Sequence, residues 1–222
     1  MSIAATSPLT TRIQSVLDER SMLKHPFYRA WTAGTLPLDS MRAYARQYYH
    51  FEAAFPRLLS AIHTRTDSPA IRQMLLDNLW DEEHGERNHP RLWLDFANAL
   101  GVSDGDVTGA PLNSQTRALV HHYDHMARNA PLGEALATLF AYEGQVPTIA
   151  WQKIKGLSEH YGFAPAQFEF FSVHLVADIA HAGHEMEAID IASEDDDRVV
   201  AATETACDLL LGFLDGCMEE AA

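Results

Sequence analysis

Three ionisable residues, His174, Asp178 and His181, stand at i, i+4 and i+7 in a stretch whose other members, Leu175, Val176, Ala177, Ile179 and Ala180, are all apolar. At about 100° per residue this spacing puts the three on one stripe of a helix. Ionisable groups on an otherwise apolar helix must pair, hydrogen-bond or bind a metal. A polar seam between helices would satisfy them. So would a metal held by facing helices of a bundle.

A second run supplies partners for the second reading. In DEEHGERNH, Asp81 to His89, Glu82 and His89 are separated by seven residues. On a continuous helix that closes two turns to within roughly 20°. Glu86, four residues from Glu82, leaves the carboxylate of this run open, and Glu83, about 100° away from Glu82, fits less well. Taken alone, Asp81, Glu82, Glu83 and Glu86 read equally as a solvated acidic face. Glu143 adds a third carboxylate within LFAYEGQVP, an apolar stretch unsuited to an unpartnered charge. By itself it would be served by an arginine. Together, Glu82, His89, Glu143, His174, Asp178 and His181 are three carboxylates and three imidazoles. That is enough for two ions with open positions. His184 and Glu185 extend the last run by a turn, and Glu185 falls near the same stripe, where it would support a ligand. No cysteine lies near these residues, which argues against iron–sulfur and structural zinc sites. Mixed oxygen and imidazole ligands suit iron or manganese, and open positions on such ions bind and reduce O₂. The ligands must be deprotonated, so loading should fall in acid.

The rest of the chain carries the same 3.6-residue period, with little strand-like alternation. Helices are expected from Thr10 or Thr11 to Arg20, and from Pro26 to Trp31. A third should open at Pro37 or Asp39 and reach Thr66, kinked at Pro56. The next should run from Ser68-Pro69 to Gly101, bent at Pro90. After a loop from Val102 to Pro111, helices follow from Asn113 or Ser114 to Asn129, and from Pro131 to His160 with an interruption at Gly144 and Pro147. Another starts at Pro165, and the last runs from Asp197 to Glu219 behind an acidic turn. The expectation is an all-α, single-domain bundle of about seven helices over residues 1–222, with 1–9 a flexible tail.

Charge and cysteine usage narrow the function classes. Sixteen Lys and Arg against 31 Asp and Glu give a formal net charge of −15. Such a surface repels phosphate backbones and anionic membranes, so neither nucleic acid nor membrane is an expected partner. The two cysteines, Cys207 and Cys217, form no CxxC, and the N-terminus MSIAATSPLTTR has no signal-peptide pattern. A cytoplasmic location is the simplest expectation, and a homodimer is compatible with apolar helix faces. His121, His122 and His125 read as an exposed face beside Asp124 and Arg128. His25 opens a helix, and no porphyrin pocket is indicated.

The segments HPFYRAW (His25 to Trp31), NLWDEEHGERNHPRLW (Asn78 to Trp93), AYEGQVPTIAWQKI (Ala141 to Ile154) and HLVADIAH (His174 to His181) together resemble the haem-oxygenase-like dimetal oxidases. Within that group they resemble the proteins related to the Chlamydia protein associating with death domains. The resemblance implies a haem-oxygenase-like bundle and the six ligands named above, holding Fe/Fe or Mn/Fe, with O₂ and an external reductant as co-substrates. It also implies formation of p-aminobenzoate, a folate precursor, from one of the protein's own tyrosines. Tyr28 matches the consumed tyrosine, Lys153 the amine donor, and Tyr44 and Tyr142 further tyrosines near the site. Phe170 departs from the pattern, where a tyrosine is expected. Read without the resemblance, Tyr28 is a packing residue between Phe27 and Trp31, and Lys153 a surface lysine. Two other functions share the same ligands or surface. One is a dimetal oxygenase acting on an external fatty acid or amino acid. The other is a non-enzymatic interaction module with an acidic face. A long apolar tunnel would favour the lipid, and Tyr28 and Lys153 facing the metals would favour self-modification.

Overall fold

The computed structural model describes residues 7–221, with the side chains of residues 176–182 left out of the description. Among the described residues it contains twelve α-helices and two short 3₁₀ turns, and no strand. The helices are α1 (Pro8–Glu19), α2 (Pro26–Thr32), α3 (Leu38–Glu52), α4 (Phe55–His63), α5 (Pro69–Glu83) and α6 (His89–Ala99). They continue with α7 (Asp104–Thr108), α8 (Ser114–Asn129), α9 (Leu132–Glu143), α10 (Val146–His160), α11 (Glu169–Ala192) and α12 (Asp196–Glu220). The all-α, single-domain expectation holds. The helix number exceeds seven because breakers end helices outright where bends were expected, and because the expected Val102–Pro111 loop holds a short helix, α7, capped by the Ser103 side chain.

Three such breaks place the functional residues. Pro56 has no amide hydrogen to continue a helix, and α3 stops at Glu52, four residues before it. Asn88 caps α6, its side chain accepting from the Arg91 amide at 3.0 Å, so Pro90 sits harmlessly in a first turn. The connection from α5 passes through Gly85 at φ +82°, a left-handed conformation that glycine adopts without strain. Glu82 and His89 therefore lie on two helices, and the same-face argument for one continuous helix does not apply to them. At Gly144 a Cβ would meet the Phe140 carbonyl oxygen at 2.9 Å and Leu17 at 2.8 Å. The chain turns there, and α10 restarts with Pro147 in its first turn.

The start of the chain is more ordered than a nine-residue tail. Ser7 caps α1, accepting from the Thr10 amide at 3.0 Å, and donates to Asp190 of α11 at 2.7 Å. Leu9 is buried. Residues 1–6 lie outside the described residues. His25 proves to be a cap for α2: its Nδ1 accepts from the Phe27 amide at 3.2 Å, and its Nε2 meets Asp215 at 2.9 Å.

Helix α9 is buried along nearly its whole length and packs against both α11 and α12, while α10 packs on α11 and α2. This is the pattern of a central helix, apolar all round. Trp31, Trp93, Phe96 and Phe171 form a web of tilted and edge-on rings between these layers. The indole of Trp93 donates to the Ala45 carbonyl at 2.8 Å, so its one polar atom is satisfied. Both cysteines are buried and unpaired to each other. Among the described residues, no helix is long and apolar enough to cross a membrane.

Candidate metal centre

Carboxylates at the ends of three helices converge in the core. Glu52 ends α3, Glu82 lies in the last turn of α5, and Glu143 ends α9; all three are buried. The helix macrodipole is negative at a C-terminus, so each carboxylate sits where its charge is least welcome. His89 at the start of α6 and His174 in α11 face them, also buried. His89 Nδ1 stands 3.0 Å from Glu82 Oε2, but the angle does not make a hydrogen bond, and both atoms count as unsatisfied. The His89 and His174 rings are 4.2 Å apart between centroids. Asn78 steers Glu143 by donating to Oε1 at 2.8 Å, and reaches Glu185 at 3.5 Å. Glu185 and Glu143 thus share Asn78 as a hydrogen-bond partner. Donor atoms of Glu52, His89 and His174 lie within 4.8 Å of one another.

Burial separates the carboxylates that spacing left open. Glu82 is buried, whereas Glu83 and Glu86 are exposed. Asp178 and His181 belong to the α11 backbone, but their side chains lie outside the described residues. His121 and His125 are exposed on α8, as their neighbours suggested, whereas His122 is half-buried with its Nε2 out of contact with solvent, because that position turns toward the neighbouring helices.

Burial also perturbs the titration of the cluster. It pushes Glu82 well above the usual carboxylate range, with Glu143, Asp81 and Glu83 adding repulsion. It raises Glu52 to about 8, reinforced by Glu82 and opposed by His89. It lowers His89. Several negative charges in a dry space shed protons only if a cation arrives.

Beside this cluster lies an aromatic chamber. Lys153, from α10, is buried, which overturns its reading as a surface lysine. Its Nζ donates to the Tyr44 hydroxyl at 2.7 Å and stands 5.4 Å from the centre of the Tyr28 ring. Rings of Tyr44 and Phe171 also surround it, at 4.8 and 4.7 Å. Desolvation lowers the Lys153 ammonium to about 7, and the nearby Glu52 offsets part of this. The Tyr28 and Tyr44 hydroxyls are 3.3 Å apart. Tyr48 and Tyr142 share a short hydroxyl contact, and Tyr48 stands beside Glu52. Burial raises Tyr28, Tyr44 and Tyr48, which keeps the phenols protonated. The chamber's free volume is about 30 Å³, with His174 and Phe170 in its wall. Phe170 packs on His174 at 4.2 Å between ring centres.

The sequence reading missed Glu52 and Tyr48. Tyr44, Tyr48 and Glu52 are spaced by four on α3, one stripe of a helix. A carboxylate continuing a stripe of aromatics is the signal that would have found them.

A family model for iron-containing redox enzymes, of the haem-oxygenase-like type, matches residues 42–210. The chain belongs to this family. It is 43% identical to a 4-aminobenzoate synthase of Nitrosomonas europaea, over 97% of this chain and 93% of that one. To the 4-aminobenzoate synthase of Chlamydia muridarum it is 39% identical, over 95% and 90%. The crystal structure of a TenA homologue from Pseudomonas syringae superposes with a TM-score of 0.86. That match covers 99% of this chain and 96% of that one, at 18% identity, and so shares the fold.

The iron that defines the family suits the residues present. Glu52 Oε1, Glu82 Oε2, His89 Nδ1 and Glu143 Oε2 are all buried without a hydrogen-bond partner. Native cores leave few such atoms, and an ion is one of the explanations that a cluster of them invites. The His174 Nδ1 donates to the Phe170 carbonyl at 2.6 Å. That bond fixes the tautomer that presents Nε2 as a ligand atom.

Proposed function

We propose that this chain is a dimetal oxygenase that forms p-aminobenzoate, a folate precursor, from its own Tyr28, with Lys153 as the amine donor. Glu82, His89, Glu143, His174, Asp178 and His181 would hold the two ions, Fe/Fe or Mn/Fe. When bound, these ions supply the reduction of O₂ with electrons from an external reductant. The product named for the curated relatives supports the reading.

The observation that carries it is a buried lysine among tyrosines, beside the carboxylate–histidine cluster. The carbon skeleton of p-aminobenzoate equals the ring of a tyrosine plus its Cβ. Making it from Tyr28 requires that the Cα–Cβ bond break and that Cβ be oxidised to a carboxylate, with O₂ as oxidant. The ring C–O bond is exchanged for C–N, its oxygen leaving as water, while the Cε–Nζ bond of Lys153 breaks and Cε is left as an aldehyde, with O₂ again the oxidant; cleavage at Cα leaves glycine at position 28. Lys153 is suited to this because desolvation brings it to about 7, so much of it is neutral and carries a free lone pair near neutrality. Tyr44 hydrogen-bonds both Lys153 and the Tyr28 hydroxyl, and can pass a proton between them. The chamber walls exclude bulk water. A free volume of about 30 Å³ admits O₂ or water but not a fatty acid, which weighs against an external lipid substrate.

The test is mass spectrometry on metal-free protein given Fe(II), with and without Mn(II), then reductant and O₂. The expected result is about one p-aminobenzoate per chain, a mass loss in the peptide containing Tyr28 and a changed mass in the peptide containing Lys153. Many turnovers on an added substrate, with Tyr28 intact, would overturn the proposal.

A further inference from the structure

Glu52 has no place in the six-residue ligand set, yet it is as deeply buried as any of the set's described side chains, at 2% exposure. It closes the stripe formed by Tyr44 and Tyr48 on α3. Tyr48 stands beside it and favours its charged form, while Oε1 has no hydrogen-bond partner. The cationic neighbours acting on it are His89 and Lys153. Lys153 is already donating to Tyr44. A buried carboxylate with a bare oxygen is costly unless that oxygen meets a cation. The groups it does meet are imidazoles: its donor atom lies within 4.8 Å of those of both His89 and His174.

We infer that Glu52 is a further ligand of the metal centre, binding one ion together with His89 and His174. Donors about 2.1 Å from a common ion span at most about 4.2 Å, so the three close on one ion with sub-ångström side-chain adjustment. A fourth carboxylate beside Glu82, Glu143 and Asp178 would bring the set to four negative charges, which balances two divalent ions in a dry core. It also joins the centre to the chamber. Tyr48 stands beside Glu52 and touches Tyr142, so the metal site and the tyrosine cluster adjoin through it. The inference rests on the metal-centre reading above.

Metal binding itself tests it. Metal-free wild type, E52Q, Y48F and H89A are titrated anaerobically with Fe(II), and with Co(II) as a spectroscopic probe; bound metal per chain is counted after desalting. Wild type should hold two ions. E52Q should lose one, or bind it at least ~10-fold more weakly, with an altered Co(II) ligand-field spectrum. Y48F should keep both ions with a smaller spectral change. If E52Q matches wild type in stoichiometry, affinity and spectrum while H89A loses metal, the inference falls and the metal-centre reading stands. If H89A also matches wild type, both fall. Should E52Q fail to fold, anomalous diffraction from iron-loaded wild-type crystals decides. An ion within about 2.3 Å of a Glu52 oxygen upholds the assignment, and one beyond about 3 Å from both overturns it.

Discussion

The carboxylate–histidine cluster and the aromatic chamber share a wall, yet they solve the burial of polar groups in opposite ways. In the chamber each polar atom finds a protein partner: Lys153 donates to Tyr44, Tyr44 meets Tyr28, and Tyr48 meets both Tyr142 and Glu52. In the cluster, four buried ligand-type atoms from Glu52, Glu82, His89 and Glu143 have none. A satisfied network holds its groups in position without outside help. An unsatisfied one needs a cation, and stays under strain of charge until it has one. The chamber is thus preorganised by the fold, while the cluster leaves ligand-type atoms open, as the proposed metal centre requires.

The largest test of this contrast is K153M. It should abolish p-aminobenzoate formation altogether while leaving two metals bound, as read by product analysis and metal counting on the same sample. Loss of metal in K153M would mean that the two regions are one cooperative unit.

Next comes the pH dependence of the metal-free protein. Burial lowers the Lys153 pKa to about 7 on folding, from its ordinary value of 10.5. Between those values the unfolded chain binds more protons at this site, so the lysine's contribution to stability rises with pH. Its cost is complete below pH 7 and vanishes above about 10.5. K153M should therefore be the more stable protein at pH 6, by up to roughly 4 kcal/mol, and should lose that advantage as pH rises to 10. Denaturant unfolding at a series of pH values measures it. An advantage that grows with pH would contradict the assigned burial.

Metal addition should have a smaller but clear effect, confined to the cluster. At one hundred times the dissociation constant, a ligand of the folded state alone adds about 2.7 kcal/mol. For a chain of this size that is roughly 5–10 °C in Tm. E82Q should remove most of the shift, and Y28F none of it. An equal shift in E82Q and wild type would place the ion elsewhere.

The smallest expected effect is that of G85A. No atom lies within 4 Å of the added Cβ, so the cost is the left-handed backbone alone, about 1 kcal/mol. Because Gly85 connects Glu82 to His89, metal affinity should fall somewhat along with stability. A change in stability with unaltered affinity would show that the loop does not set the spacing of those two side chains.

Much of this architecture was readable from local pattern. The helical period, the proline and glycine breakers and the apolar run around Glu143 are short-range properties, and the structure reproduces them as helices and breaks. The pairing of Glu82 with His89 was also legible, though for the wrong reason. Spacing suggested one helix, and the chain instead ends α5 at Glu83 and begins α6 at His89, closing the same pair through a turn. Pro90 carried the correct signal of a disruption, but only the cap at Asn88 decided whether the helix bent or stopped.

What the sequence alone determined is the helical class, the choice of ligand chemistry and the family, because periodicity, residue type and motif spacing survive without coordinates. The tertiary structure alone decided that Glu82 is buried and Glu86 exposed, that Lys153 faces Tyr28 from inside the core, and that Glu52 joins the histidines. Each of these depends on which helix packs on which side. Charge on a helix face looks the same in sequence whether it meets water or a cavity, and only the neighbouring helices distinguish the two.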